Sequence, residues 1–454
     1  MIHKYKLLGL NIVLDVNSGS VHLVDELTYK LLDFMEDGNL DWHGAETLLG
    51  EYERYDIAEA HSEVRRLVEA GALFSDDWHE ELADDWQKET AIKALCLHVA
   101  HDCNMVCEYC FANKGDYSGP AGLMPPKVGR RAIDFVISKS RARKNIEVDF
   151  FGGEPLLNFG AVREIVEYAK AEGAKHGKTF RFTITTNGIA LNDEIKKYIN
   201  QEMSNVVLSI DGRKEVNDKT RRYVGGGGTY EKIVPHFLEI AESRNQDNYY
   251  VRGTFTAQNL DFSKDVLHLA DLGFKQISIE PVVAPKDVPY SIKEEHLPAI
   301  KKEYEKLAEI MVQREEEGRG FNFFHFMIDL EGGPCAIKRI SGCGAGHEYL
   351  AVTPEGDIYP CHQFVGKAGQ RMGSVIDGGF DDVKSRELSS LNVYTKEECK
   401  TCWARFYCSG GCIATSENYA GGMDKPYKIG CELEKKRVEC AIALKIISKV
   451  SQKP

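Results

Sequence analysis

Three cysteines, Cys103, Cys107 and Cys110, lie within eight residues in the spacing C-x3-C-x2-C. Thiolates are soft ligands that suit iron–sulfur clusters, and the spacing of the cysteines is the readable part of such a site. Three of them can hold a cubic cluster by three of its four irons, which leaves the fourth iron open to a ligand other than protein. The alternative is a three-cysteine zinc site with one open position. Either way, the loop predicts a metal centre with room for a further ligand.

Thirteen cysteines occur in a chain of 454 residues whose first ten residues lack the apolar core of a secretory signal. This combination points to a reducing cytoplasm and to metal ligation rather than to disulfides. The net charge of −13 argues against nucleic acid as the main partner, because phosphate binding requires a basic surface. The apolar runs are short and interrupted, so no membrane span is expected. The sequence therefore predicts a cytoplasmic protein that binds neither nucleic acid nor membranes.

The first 75 residues have the pattern of a separate small module. Apolar residues alternate over 12–16, a turn of Asn, Ser and Gly follows, and a second apolar run covers 21–24, which together predict a β-hairpin. Asp25 can cap the helix that follows. Two more helical stretches complete a winged-helix-like unit. The acidic residues 76–92 then predict a linker or a solvated helix.

From Ala94 the pattern changes to strands that alternate with helices, which predicts an α/β domain with a parallel sheet, open or closed as a barrel. In such sheets the chemistry collects at the carboxyl ends of the strands. Strands are expected at 94–100, 148–151, 182–185, 206–210, 251–255 and 277–283, and helices at 130–140, 161–175, 230–243 and 292–317.

Small and polar residues follow several of these strands. Gly152, Gly153 and Glu154 follow the second strand, where the glycines allow close backbone approach and the carboxylate can accept a hydrogen bond from an ammonium group. Such a Gly-Gly-Glu-Pro segment would, by itself, be an ordinary turn.

Further polar groups end the third and fourth strands. Thr185 and Asn187 end the third strand, and Ser209 and Asp211 end the fourth. Their oxygens and amide can hold hydroxyl or carboxylate groups of a ligand. Arg221 can pair with a ligand carboxylate, although a surface ion pair explains it nearly as well.

A second cysteine array begins beyond residue 340. Gly356 precedes Cys361 by five positions, which predicts a short hairpin that delivers this cysteine. A zinc ribbon is the simple alternative, because C-x2-C pairs bind zinc. The seven cysteines of the array are Cys343, Cys361, Cys399, Cys402, Cys408, Cys412 and Cys431.

The first cysteine loop and the motifs that follow it resemble those of the radical S-adenosylmethionine (SAM) superfamily. The resemblance implies a partial (β/α)6 TIM-like barrel over 93–320, in which the open iron binds the amino and carboxylate groups of SAM and one electron cleaves SAM to a 5′-deoxyadenosyl radical. Arg221 matches an HDxxR element in which Asn217 replaces the histidine. The residues implied to contact SAM are Tyr109, Gly152, Gly153, Glu154, Thr185, Asn187, Ser209, Asp211 and Arg221.

The second array resembles the seven-cysteine SPASM pattern, which implies two auxiliary 4Fe–4S clusters within 321–454 and three clusters in the whole chain. By this resemblance, Cys343, Cys361 and Cys412 would hold the first auxiliary cluster, one ligand short. Cys335 is one candidate for the fourth ligand, and a thiolate of the substrate is the other. The implied ligands of the second auxiliary cluster are Cys399, Cys402, Cys408 and Cys431. Cys96 and Cys440 are expected to be buried structural thiols.

The N-terminal module resembles the RiPP recognition element, a domain that binds the leader of a ribosomally made peptide as an added strand. The expected edge strand is Ser20, Val21, His22, Leu23 and Val24. A purely structural cap is the alternative. DNA binding is disfavoured because the helix over 26–36 is acidic.

Over nearly its whole length the chain resembles radical SAM–SPASM peptide maturases, and most closely those that form thioether crosslinks in cysteine-rich SCIFF peptides. This implies a precursor peptide as substrate and a flavodoxin or ferredoxin as reductant. Another peptide reaction is the alternative, either carbon–carbon crosslinking or formylglycine formation in sulfatases. Sulfatase-maturing relatives have an aspartate where this chain has His362, which counts against formylglycine formation. A peptide-binding or electron-transfer protein without catalysis is the remaining possibility, and it predicts no cleavage of SAM.

Overall fold

The computed structural model describes residues 1–85, 91–330 and 339–451. The N-terminal module contains an antiparallel sheet in the order β1-β2-β3, with β1 at Ile2–Leu7, β2 at Leu10–Asp15 and β3 at Val21–Leu23. The predicted hairpin is therefore present as β2 and β3. Sequence analysis missed β1, although polar and apolar residues alternate along it. Two short strands, β4 at Met35–Glu36 and β5 at Asn39–Leu40, follow.

Four helices complete this part of the chain. They are α1 at Glu26–Leu31, α2 at Trp42–Ala45, α3 at Arg54–Glu69 and α4 at His79–Asp85. Asp25 caps α1 as expected, because its side chain accepts a hydrogen bond from the Thr28 amide at 2.7 Å. Side chains of β2 alternate between two cores: Val13 packs with α1 and α3, whereas Ile12 and Leu14 pack into the main core.

The main sheet contains six parallel strands in the order β14-β13-β11-β10-β9-β6, and this confirms the predicted α/β class. Among the described residues β14 and β6 do not pair with each other, so the sheet is an open, partial barrel. Its strands are β6 at Ala94–His101, β9 at Asn145–Gly152, β10 at Thr179–Thr186, β11 at Asn205–Ser209, β13 at Tyr249–Phe255 and β14 at Gln276–Pro281. Shorter strands are β7 at Met105–Cys107, β8 at Gly122–Leu123, β12 at Arg221–Tyr223 and β15 at Asn322–Phe323.

Helices connect these strands and cover one face of the sheet. On β9, Ile146, Val148 and Phe150 are fully buried in the main core. The alternate residues, Asp149 and Phe151, point to the opposite face, because side chains alternate along a strand. We call this opposite face the site face. The helices are α5 at Pro126–Lys139, α6 at Phe159–Lys175, α7 at Asp193–Glu202, α8 at Lys214–Thr220, α9 at Tyr230–Ser243, α10 at Ser263–Asp271 and α11 at Leu297–Glu316.

The C-terminal region extends the same sheet. Strand β16 at Tyr349–Val352 pairs in parallel with β6, and β17 at Asp357–Tyr359 and β18 at Gly373–Ser374 follow antiparallel. The predicted hairpin turns at Gly356, whose φ of +96° favours glycine. Cys361 follows β17 and is therefore delivered close to β6. The remaining helices are α12 at Asp382–Ser390, α13 at Glu397–Lys400, α14 at Arg405–Cys408, α15 at Ile413–Tyr419 and α16 at Lys428–Ser451.

The N-terminal module is attached to the C-terminal region by specific contacts. The ring of His3 stacks on Trp403 at 3.7 Å, and its Nε2 lies 3.0 Å from Glu439. Asp77, in the acidic stretch, accepts hydrogen bonds from Arg405 at 2.7 Å and from the Tyr394 hydroxyl at 2.8 Å. This part of the acidic stretch is therefore a contact between two regions, in addition to the linker that was expected. None of the helices in the described ranges has the length and apolar character needed to cross a bilayer.

Candidate functional site

The first three cysteines are brought together where β6 ends. Cys107 lies at the end of β7, which pairs with β12, and the Cys110 amide donates to the Cys107 carbonyl at 3.2 Å. Burial is the main reason that the pKa rises to about 12 for Cys103 and to about 11 for Cys107, and the neighbouring thiols raise both further. Because metal binding requires thiolates, binding of a cluster here is coupled to release of protons.

A cavity of about 150 Å³ opens beside these cysteines at the carboxyl ends of the strands. Eight of the nine residues predicted to contact SAM line this cavity: Tyr109, Gly152, Gly153, Glu154, Thr185, Asn187, Ser209 and Arg221. Asp211 does not line it. Phe111 and Phe151, which sequence analysis did not single out, do.

The two glycines hold the cysteine loop against the sheet. A Cβ atom on Gly152 would lie 2.2 Å from the Ala100 carbonyl oxygen, and one on Gly153 would lie 2.1 Å from that of Asp102. The amides of Gly153 and Glu154 donate to these same two carbonyls at 2.8 and 2.9 Å. The glycines are therefore required for close packing of two protein segments, as well as for access to the cavity.

Three protein donors surround the carboxylate of Glu154. Its carboxylate accepts from the Leu156 amide at 3.0 Å, the Thr186 hydroxyl at 2.7 Å and the Asn187 amide at 2.8 Å. Burial raises its pKa to about 6, and these hydrogen bonds oppose the rise. The carboxylate thus joins the ends of β9 and β10 and orients Asn187.

Asp211 supports the cavity from behind. It is fully buried and accepts hydrogen bonds from the Tyr109 hydroxyl at 2.7 Å, the Thr220 hydroxyl at 2.7 Å and the Thr254 amide at 3.0 Å. Arg221 in turn donates to the Tyr109 hydroxyl at 3.1 Å. The network fixes Tyr109, the residue before the third cysteine, in one orientation.

The cavity has the donors that a SAM-bound cluster requires. The Nε atom of Arg221 is buried and has no hydrogen-bond partner among the described residues, so it needs an acceptor such as the carboxylate of SAM. Burial of an unpaired donor costs about 1–3 kcal/mol, which a ligand carboxylate would remove. The three thiols, the unpaired guanidinium donor and the polar strand ends together fit the cofactor.

The second cysteine group contains Cys343, Cys361 and Cys412, and Cys412 is close enough to raise the pKa of both other thiols. Burial raises the pKa of both Cys343 and Cys361, to about 12 for Cys361. Cys335, the predicted alternative fourth ligand, lies outside the described residues.

The third cysteine group lines a separate cavity of about 550 Å³ and consists of Cys399, Cys402, Cys408 and Cys431. Lys396, which sequence analysis missed, is buried and donates to the Gly410 carbonyl at 2.8 Å. The Lys396 ammonium interacts electrostatically with Cys412 and with every cysteine of this group except Cys402. Lys396 therefore adds a positive charge beside thiolate ligands. In the described ranges no three His, Cys, Asp or Glu side chains are arranged to hold one metal ion. Such an arrangement is not required for a cubic cluster, because a cluster spaces its thiolates more widely than a single ion does.

The residue after Cys361 connects the second cysteine group to the first cavity. The ring of His362 lies 5.3 Å from Phe151 and 5.6 Å from Phe111. Burial lowers the pKa of His362 to about 4, and the next largest effect is that of Arg252. Arg252 donates to Glu280 at 2.7 Å across β13 and β14, at the other end of the sheet. His362 therefore lies between the second cysteine group and the first cavity.

The two remaining cysteines, Cys96 and Cys440, are buried, as expected for structural thiols. Cys96 lies on β6 and Cys440 on α16.

Comparison with known proteins identifies the two domains. Residues 97–261 match the radical SAM superfamily, and residues 343–403 match the SPASM iron–sulfur cluster-binding domain. The chain therefore contains a radical SAM domain and a SPASM iron–sulfur domain. Its cofactors are SAM and 4Fe–4S clusters.

The chain is similar to several proteins over most of its length. It is 22% identical to the radical SAM cyclopropyl synthase TigE of Paramaledivibacter caminithermalis, with 92% of this chain and 89% of that protein covered. It is 25% identical to the cysteine-type anaerobic sulfatase-maturating enzyme of Clostridium novyi, with 75% and 93% covered. The crystal structure of Streptococcus suis SuiB bound to precursor peptide SuiA superposes with a TM-score of 0.54 at 15% identity, covering 94% of this chain and 98% of that one. At this identity the structural likeness shows the fold.

Proposed function

We propose that this enzyme forms thioether crosslinks between cysteine sulfurs and carbon atoms within a cysteine-rich precursor peptide of the SCIFF type. The observation that carries the proposal is the position of His362, which follows Cys361 and contacts Phe111 and Phe151 at the first cavity. A peptide bound on the site face can therefore reach the SAM cavity and the second cysteine group at once.

The cofactors supply a carbon-centred radical oxidant at the first cysteine group and one-electron acceptors at the other two. The chain supplies the positions. Arg221 and the strand ends bind and orient SAM, with Cys103, Cys107 and Cys110 as the cluster ligands. Phe111 and Phe151 line the first cavity on the side of His362. The cytoplasm is the compartment in which these thiols stay reduced, and a flavodoxin or ferredoxin is the reductant that we propose.

The N-terminal module, residues 1–75, supports a peptide substrate. Strand β3 is the edge of its sheet, and Leu23 is 51% exposed. The Val24 amide donates to the Asn11 carbonyl, and the Asp15 amide donates to the Ser20 carbonyl. Because hydrogen-bonded and non-hydrogen-bonded pairs alternate along an antiparallel ladder, the amides of Val21 and Leu23 point outward. A leader peptide can add to this edge as a fourth strand through main-chain hydrogen bonds. The relation to SuiB, which was crystallised with a precursor peptide, is consistent with such a substrate.

Formylglycine formation is the second candidate, because a sulfatase-maturating enzyme is among the similar proteins. That similarity covers 75% of this chain. His362 stands where sulfatase-maturing relatives have an aspartate, and its low pKa makes it a weak base. Both observations favour crosslinking.

The test uses the full-length enzyme, reconstituted anaerobically with iron and sulfide, together with dithionite, SAM and a cysteine-rich precursor peptide. The proposal predicts 5′-deoxyadenosine, a mass loss of two hydrogens per crosslink and cysteines that no longer react with an alkylating agent. The variant lacking Cys103, Cys107 and Cys110 is the control and should form neither product. Oxidation of a single cysteine to an aldehyde would instead establish formylglycine chemistry.

A further inference from the structure

A carboxylate lies on the site face directly below the SAM cavity. Phe151 and Thr185 line that cavity at the ends of β9 and β10. Two residues earlier on the same two strands, Asp149 and Thr183 face the same side and are register partners. Two residues along a strand span about 6–7 Å, so these side chains lie one step deeper than the cavity wall.

The surroundings of Asp149 leave its carboxylate available to a ligand. The Thr183 hydroxyl on β10 donates one hydrogen bond to it. Glu147 lies on the same face of β9, and Cys96 lies opposite on β6. Asp149 acts electrostatically on Tyr349 of β16, whose hydroxyl lies 3.4 Å from Nδ1 of His362. Among the described residues no cation lowers the pKa of Asp149, so its carboxylate has no ion-pair partner there.

The ionisation of Asp149 suits proton transfer near neutral pH. Burial is the largest effect and Glu147 the next, and together they raise the pKa of Asp149 to about 6 against the lowering effect of Thr183. A general base is most effective when its pKa lies near the working pH. Perturbed carboxyl groups in a cleft also mark functional sites.

We propose that Asp149 is the catalytic base that takes the proton from the peptide thiol as the carbon–sulfur bond forms. This inference rests on the proposed function and assigns the base for it. The thiol proton goes to a carboxylate oxygen of Asp149. The acceptor carbon gives its hydrogen atom to the 5′-deoxyadenosyl radical, and sulfur and carbon join. The one electron left over goes to an oxidised 4Fe–4S cluster of the SPASM domain, so atoms and electrons balance.

Neighbouring groups are poorer proton acceptors. Glu154 already accepts three hydrogen bonds and is 1% exposed. Burial raises the pKa of Tyr349 and Cys96, so both keep their own protons. Asp149 alone among these groups combines partial exposure on the site face with a pKa near neutrality.

The test compares wild-type holoenzyme with Asp149→Asn, using a perdeuterated precursor peptide. Deuterium in 5′-deoxyadenosine reports hydrogen abstraction, and mass spectrometry after alkylation reports crosslinks. We expect Asp149→Asn to keep deuterium transfer within about threefold of wild type. Crosslinking should fall about 100-fold, the lower range of what a general base contributes.

The pH profile separates a base from a structural residue. Wild-type crosslinking should decline as the pH falls through about 6, where Asp149 becomes protonated, and Asp149→Asn should lack this decline. Glu147→Gln removes a repelling charge, so the decline should move to lower pH with the neutral rate unchanged. Thr183→Val removes a hydrogen bond that stabilises the ionised carboxylate, so the decline in crosslinking should move to higher pH.

An infrared difference titration of wild type minus Asp149→Asn adds a measurement that needs no turnover. It should show one carboxyl group that titrates near pH 6, and the subtraction removes the contribution of Glu154. Absence of that band overturns the inference. So does an Asp149→Asn enzyme that crosslinks at the wild-type rate, or one that loses deuterium transfer with all clusters present.

Failure of the proposed function gives a different result. In that case wild type produces 5′-deoxyadenosine without thioether. The role of Asp149 is then decided separately, by the infrared titration and by the pH profile of the product that does form.

Discussion

Replacement of Gly153 by alanine should disable the radical site while leaving the fold in place. The added Cβ would lie 2.1 Å from the carbonyl oxygen of Asp102, the residue before Cys103. Cβ atoms essentially never approach such an atom within 3.0 Å, so the cysteine loop must shift by roughly 1 Å. Overpacking of this kind costs about 1–3 kcal/mol of unfolding free energy. A misplacement of about 1 Å at a reacting centre costs about 100-fold in rate.

The assay measures 5′-deoxyadenosine formation, iron content and urea unfolding of Gly153→Ala. We expect a loss of about 100-fold in SAM cleavage, the loss of iron equivalent to one cluster and a small decrease in stability. Gly160→Ala is the matched control, because a Cβ there meets nothing within 4 Å and the position lies in the first turn of α6. It should be neutral, or stabilising by up to about 1 kcal/mol. A Gly153→Ala enzyme with full iron content and wild-type SAM cleavage would refute the close-packing argument.

Three further perturbations follow from the contacts described. Arg221→Ala should weaken SAM binding by about 10- to 100-fold, since a charged hydrogen bond contributes about 1.5–3 kcal/mol. Arg222 is exposed, so Arg222→Ala should leave SAM binding unchanged; equilibrium binding of SAM to both variants is the measurement. Leu23→Pro removes an outward amide of β3 and should weaken leader-peptide binding in a fluorescence titration; unchanged affinity would count against the edge-strand interpretation. His3→Ala removes the stacking on Trp403 and should lower the melting temperature through a loosened N-terminal module, with SAM cleavage preserved; equal melting curves would show that this contact contributes nothing.

Local sequence patterns predicted the parts of the molecule that depend on local order. The alternation of apolar residues located the strands, as for Val148 and Phe150, and the C-x3-C-x2-C spacing indicated the first cysteine group. The division of the other seven cysteines into two groups came from the resemblance to the SPASM pattern. The hairpin turn at Gly356 was predictable because its conformation favours glycine.

The remaining features depend on contacts between distant segments. Pairing of β16 with β6 joins residues about 250 positions apart, and no local pattern reports it. The hydrogen bonds that Glu154 and Asp211 accept from other strands and loops have no local sequence pattern either. Asp149 was not singled out, since its significance comes from register with Thr183 rather than from a motif.

The most direct test of the central proposal counts products per turnover with a deuterated precursor peptide. Thioether formation by this enzyme predicts one deuterium-labelled 5′-deoxyadenosine for each crosslink that tandem mass spectrometry locates between a cysteine sulfur and a carbon. Cleavage of SAM that leaves 5′-deoxyadenosine unlabelled and every peptide cysteine open to alkylation would contradict it.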